Sequence, residues 1–205
     1  MRVLVVDPSQ IHQEIIFTCL DHTGEIVYKA ANVDAALSEI RKQSPDMVLL
    51  ADSVSVSNDL DVLKTIRAIP ENETVWLIAM SSETDDAFSR HIQGDGFDGY
   101  LVNPFTLEQF IGLVETCITK SFENINAFYS SHEIKLDISL FDVLSKAAEL
   151  GDINQMMQVV GELQVHKGTR QLARLIGFLC RTFSFDRLEN LCRRCASEVE
   201  APIVL

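Results

Sequence analysis

The chain has 205 residues, 47% apolar and 23% charged, and its 30 acidic against 17 basic side chains give a net charge of −13. That length accommodates two modest domains, and the composition is that of a folded globular protein rather than a disordered one. The acidity lies in residues 1–120, with eight Lys and Arg against nineteen Asp and Glu, whereas residues 137–205 carry eight against nine; a first domain this negative disfavours nucleic acid and anionic lipid as partners.

Met1 and Arg2 lead straight into Val3-Leu4-Val5-Val6 and Asp7, with no apolar stretch long enough for a signal peptide or a membrane span, so a cytoplasmic chain is expected. The run at 3–6 has the pattern of a strand buried on both faces. It recurs at 26–30, 47–50, 75–80 and 99–102, and helix-compatible stretches follow at 9–20, 33–42, 60–68, 85–93 and 107–119. Five strands alternating with five helices predict a doubly wound α/β domain on a parallel sheet. The punctuation agrees: Gly24 and Gly96 follow helices where a left-handed residue is useful, and Thr106 with Gln109 has the spacing of a capping box. Ser53-Val54-Ser55-Val56-Ser57-Asn58 reads as a small polar loop.

After Lys120 the pattern weakens, so the first domain is read as 1–120, a linker or helix extension as 121–136, and a smaller all-α domain as 137–205. Four amphipathic faces follow. Leu140, Val143, Leu144, Ala147 and Leu150 form the first; Ile153, Met156, Met157, Val160 and Leu163 the second, capped by Asp152. Leu172, Leu175, Ile176 and Leu179 form the third; Leu188, Leu191, Cys192 and Cys195 the fourth, starting after Ser184 or Asp186. Such a set predicts a compact helical bundle.

In a doubly wound sheet the chemistry sits at the carboxyl ends of the strands, which here carry Asp7-Pro8, Ala51-Asp52, Ser81-Ser82 and Asn103-Pro104. Through these residues, and through Val3-Leu4-Val5-Val6-Asp7, Asp46-Met47-Val48-Leu49-Leu50, Leu63-Lys64-Thr65-Ile66-Arg67, Ile78-Ala79-Met80-Ser81 and Tyr100-Leu101-Val102-Asn103-Pro104-Phe105, the chain resembles the receiver domains of two-component response regulators over residues 1–120. The resemblance implies a five-stranded sheet of flavodoxin-like order and a cis peptide bond at Asn103-Pro104. It also implies a phosphorylation pocket, in which the aspartate nucleophile falls on Ala51, the acid pair on Asp7 and Pro8, the hydroxyl on Ser81, the switch aromatic on Tyr100 and the lysine on Asn103. A methyl group forms no acyl phosphate, and the loss of one acid and the lysine leaves a degenerate pocket for which no catalytic residue, cofactor or metal is expected. Asp52 is the one substitute acid, and strand alternation turns its side chain to the other side of the sheet unless a bulge intervenes.

Other constellations carry less. Cys192-Arg193-Arg194-Cys195 has the spacing of a metal half-site but no second pair, so core cysteines are expected; all five cysteines, with Cys19, Cys117 and Cys180, are read as free thiols. His166-Lys167-Gly168 resembles the phosphoacceptor neighbourhood of histidine phosphotransfer domains with the wrong spacing, and Arg170, Arg174 and Arg181 form a basic stripe. The C-terminal segment loosely resembles helical tails of hybrid sensor kinases. The functional expectation is a non-enzymatic, phosphorylation-independent atypical response regulator acting as an adaptor for a signalling protein such as a sensor kinase. The alternatives are an RNA-binding antiterminator with a degenerate receiver, or a phosphotransfer protein using Asp52 or His166. The resemblance also implies a homodimer through the fourth and fifth helices of the first domain, with Phe105, Phe110, Ile111 and Val114 near that face, while Phe178, Phe183 and Phe185 either complete a small core together or leave part of the group as an exposed apolar patch.

Overall fold

The computed structural model describes residues 1–21, 23–55, 59–69, 75–82, 96–132, 139–165 and 169–200. The chain divides into two compact units, Met1–Leu113 and Val114–Leu205.

In the first unit, β1 (Arg2–Val6), β2 (Ile26–Ala30), β3 (Met47–Ala51), β4 (Trp76–Ser81) and β5 (Gly99–Val102) form one parallel sheet in the order β2-β1-β3-β4-β5. Every residue of β3 and β4 is buried, as continuous apolar runs require when helices cover both faces of a sheet. Trp76 opens β4 level with Met47. The helices are α1 (Gln10–Asp21), α2 (Val33–Gln43), α3 (Asp52–Ser55), α4 (Asp59–Arg67) and the start of α5 (Leu107–His132), which continues into the second unit. The helix expected at 85–93 lies outside the described residues. The segment read as a polar loop begins instead with the turn of α3, which the burial of Val54 holds against the domain; residues 56–58 are outside the description.

Helix ends follow local chemistry. Thr106 and Gln109 form the expected capping box, with Gln109 Oε1 accepting the Thr106 amide at 2.8 Å and Thr106 Oγ1 accepting the Gln109 amide at 3.3 Å. Asn32 caps α2 by accepting the Ala35 amide at 2.9 Å, and Ser44 ends that helix in the left-handed region at φ 44°. Gly24 and Gly96 have φ of 71° and 89°, the left-handed conformation expected of both. α5 runs unbroken through His132, helical where the sequence left a linker or helix extension open.

The second unit also holds α6 (Ser139–Glu149), α7 (Ile153–Val165), α8 (Arg170–Arg181) and α9 (Phe185–Glu200), with α6 packed on α7 and α9 and α7 packed on α8. Asp152 caps α7 through the Gln155 amide at 3.0 Å. Two expected faces prove too wide. Val143, Leu150, Ile153 and Met157 stand in solvent, because a packed helix buries only one stripe, and on α7 that stripe is Met156, Val159, Val160 and Leu163. α8 ends in a Schellman turn, with the Ser184 amide on Leu179 O at 3.1 Å and the Phe183 amide on Cys180 O at 3.2 Å. The left-handed position usual for glycine is filled by Phe183, at φ 54°.

Ser44 strains its backbone for want of a glycine. Ser44→Gly is expected to stabilise the protein by about 0.5–1 kcal/mol, read as a higher urea midpoint at unchanged slope.

A rearranged pocket at the strand ends

Parallel pairing brings the carboxyl ends of the strands to one rim. β3 ends in buried Ala51, level with Met80, and the following residue, Asp52, is therefore level with Ser81. The chain leaves the strand at this point and opens α3, so alternation along β3 no longer dictates where Asp52 points. The expectation that Asp52 turns away from the pocket is corrected: Ser81 Oγ donates to Asp52 Oδ2 at 2.8 Å, and Asp52 Oδ1 accepts the Ser53 amide at 2.6 Å. Ser81 also holds β5, because its carbonyl accepts the Asn103 amide at 2.7 Å, just before the cis Asn103-Pro104 bond.

Asp7 is buried at the end of β1 and is engaged on both carboxylate oxygens: Oδ1 accepts the Ser9 amide at 2.7 Å, and Oδ2 lies 3.1 Å from His12 Nδ1. Ser9 in turn caps α1, its hydroxyl accepting the His12 amide at 3.3 Å. Gln13, also buried, donates from Nε2 to the carbonyls of Asp7 at 2.6 Å and Ala30 at 3.0 Å, joining the ends of β1 and β2. Neither His12 nor Gln13 was singled out in the sequence. The readable signal was position: with Ser9 as cap, residue 12 falls at the third position of the helix, from which a side chain reaches back over its start. Pro8 is exposed, Tyr100 is an exposed residue of β5, and Asn103 is half-buried.

The resemblance implies a magnesium ion in such a pocket, and the donor set here does not fit one. Magnesium needs several oxygen ligands in near-octahedral arrangement. Pro8 and Ala51 supply no side-chain oxygen, and the carboxylates of Asp7 and Asp52 already accept hydrogen bonds from Ser9, Ser53 and Ser81. No cluster of three His, Cys, Asp or Glu suited to a metal occurs among the described residues.

The remaining constellations resolve more simply. Cys192 is buried and Cys180 lies 4.0 Å from Met156 Sδ, where burial pushes its thiol up to about 11 and keeps it from acting as a thiolate near neutral pH. Cys19, Cys117, Cys180 and Cys192 are free thiols. His166 lies outside the described residues. Phe105, Phe110, Ile111 and Val114, named for a dimer face, are all buried, which corrects their assignment to a contact surface. Phe178 is core, whereas Phe183 is exposed and meets the Phe185 ring edge-on at 5.8 Å. No helix among the described residues is long and apolar enough to cross a membrane.

A five-stranded parallel sheet of this order, with polar residues gathered at one rim, is the flavodoxin-like arrangement that receiver domains share. The chain belongs to the response regulator receiver domain family, whose model matches residues 3–115. It is 26% identical over 137 residues to the nisin biosynthesis regulatory protein NisR of Lactococcus lactis, an alignment covering 67% of this chain and 58% of NisR. It is 24% identical over 172 residues to the cell cycle transcriptional regulator CtrA of Caulobacter vibrioides, covering 82% and 72%. The chemotaxis protein CheY4 of Vibrio cholerae shares the fold at a TM-score of 0.50 and 23% identity, over 56% of this chain and 95% of that one.

Asp7 ties the start of α1 to the end of β1. Asp7→Ala is expected to cost about 1–2 kcal/mol of stability, measured by urea unfolding, by leaving the Ser9 amide without its acceptor.

Proposed function

We propose that this protein is an atypical response regulator that works without phosphorylation and without enzymatic activity, as an adaptor binding a signalling protein. The observation that carries the reading is Ala51: the strand end where the family's phosphoacceptor falls holds a methyl group, and carbon without an oxygen nucleophile takes no phosphoryl group. Pro8 and Asn103 support it, since one removes a metal-binding acid and the other a cation that would neutralise a phosphoryl group. Output then comes from contact between folded surfaces. The sensor kinase remains the partner class that the family suggests.

One observation favours a second reading, in which Asp52 is itself the phosphoacceptor. Its carboxylate lies 2.8 Å from the Ser81 hydroxyl, the group expected to hold a phosphoryl oxygen. Against it stand the missing counter-charge at Asn103 and the poor fit to magnesium.

Incubating the full chain with a small acyl phosphate and magnesium, then measuring intact mass, separates the two. The adaptor reading expects an unchanged mass. A phosphoryl adduct that Asp52→Asn abolishes overturns it in favour of the second.

A further inference from the structure

α8 is buried almost all round. Residues 172, 173 and 175–180 are inside the unit, and those that reach solvent are Arg170, Gln171, Arg174 and Arg181. The three arginines fall within about 40° of arc and about 16 Å of axis, so the open stripe of the helix is a row of guanidinium groups. No acid occurs in α8. On the helices packed against it, Glu162 accepts from Gln158 at 3.2 Å, Glu189 pairs with Arg193 at 2.5 Å, and Asp186 is exposed. The near-neutral charge of residues 137–205 hides a division: residues 137–165 carry one basic against five acidic side chains, and residues 166–205 seven against four.

Both ends of the row cost the fold stability. Arg170 is the first residue of α8, at the positive end of the helix dipole, and with Arg174 it makes a like-charged pair one turn apart. Two residues past Arg181, Phe183 holds a left-handed backbone at φ 54°, where a bulky side chain is an outlier, and is 69% exposed. Its ring meets Phe185 edge-on at 5.8 Å. Neither Arg170 nor Phe183 packs in the core, and backbone strain of this kind gathers at sites that bind.

We infer that the arginine row of α8 and the Phe183 ring at its end form one docking edge for an acidic segment of the signalling protein. The edge presupposes the adaptor reading and gives its partner a chemistry. Guanidinium groups pair with carboxylates through two parallel hydrogen bonds, and arginine and aromatic residues are enriched where proteins meet. The row selects acids, and the exposed ring selects a partner with an apolar residue beside them. An extended polyanion fits less well. Residues 1–120, with nineteen acidic against eight basic side chains, repel it, whereas a short segment presents its carboxylates at the row alone.

Selection of random phage-displayed dodecapeptides on the full chain, followed by fluorescence anisotropy with labelled copies of the enriched peptides, tests the edge. The expected peptides carry an excess of Asp and Glu with at least one large apolar residue, and bind less tightly as salt rises. Arg170→Gln is expected to weaken them about tenfold without lowering the thermal midpoint, since it removes a cation that the helix start disfavours. Phe183→Gly should likewise weaken them without lowering the midpoint, because it releases the left-handed strain. A purely structural residue would lose stability along with binding. Lys146→Gln, which removes the same charge from α6, should leave binding unchanged. Failure to enrich any peptide, enriched peptides without an acidic excess, or equal weakening by Arg170→Gln and Lys146→Gln overturns the docking edge. So does tighter binding of a single-stranded RNA decamer or of phosphatidylserine vesicles. A phosphoryl adduct on Asp52 would instead overturn the adaptor reading and leave peptide binding intact, so the two failures are told apart.

Discussion

The first unit depends on the burial of β3. It lies between β1 and β4, all five of its residues are buried, and none carries a polar side chain. A strand covered on both faces has no freedom to slip, because every residue would exchange one packed environment for another. Its register with β4 is therefore fixed, and with it the height at which the strand stops. That stopping point decides the chemistry of the rim: Ala51 is the last residue inside the sheet, and Asp52 the first outside it.

A rim built to hold a metal gathers carboxylates whose mutual repulsion the ion relieves. Here each acid is satisfied by the protein itself. Asp7 is held by a backbone amide and an imidazole, Asp52 by a backbone amide and a hydroxyl. These hydrogen bonds tie β1 to α1 and β4 to α3.

Much of the fold was legible in the sequence because two-sided burial leaves a signature that no surface element shares. The runs at 3–6, 47–50 and 75–80 could hardly be anything but central strands, and the cap at Thr106 was equally readable, whereas the cis bond at Asn103-Pro104 was implied by the family resemblance alone. What failed to show depended on atoms brought together by folding. Asp52 was misjudged because a rule about strands was applied one residue past the end of a strand. His12 and Gln13 have no periodicity to betray them, and Gln13 acts by bridging the ends of two strands, through the carbonyls of Asp7 and Ala30. Met157 and Ile153 were placed in the core because hydrophobicity marks which residues could be buried without marking which stripe the neighbouring helices leave room for. The bent backbone at Phe183 was invisible for the opposite reason: sequence rules put glycine there, and the protein does not.

The chain contains a single tryptophan, Trp76, buried at the start of β4. The second unit has none, so indole fluorescence reports on the sheet and is blind to the helices that follow it. Far-ultraviolet ellipticity, by contrast, draws on helices from both units. The two optical signals thus view different parts of one molecule. Coincident transitions in denaturant would mark a chain that unfolds as a whole, and separated ones two units with stabilities of their own.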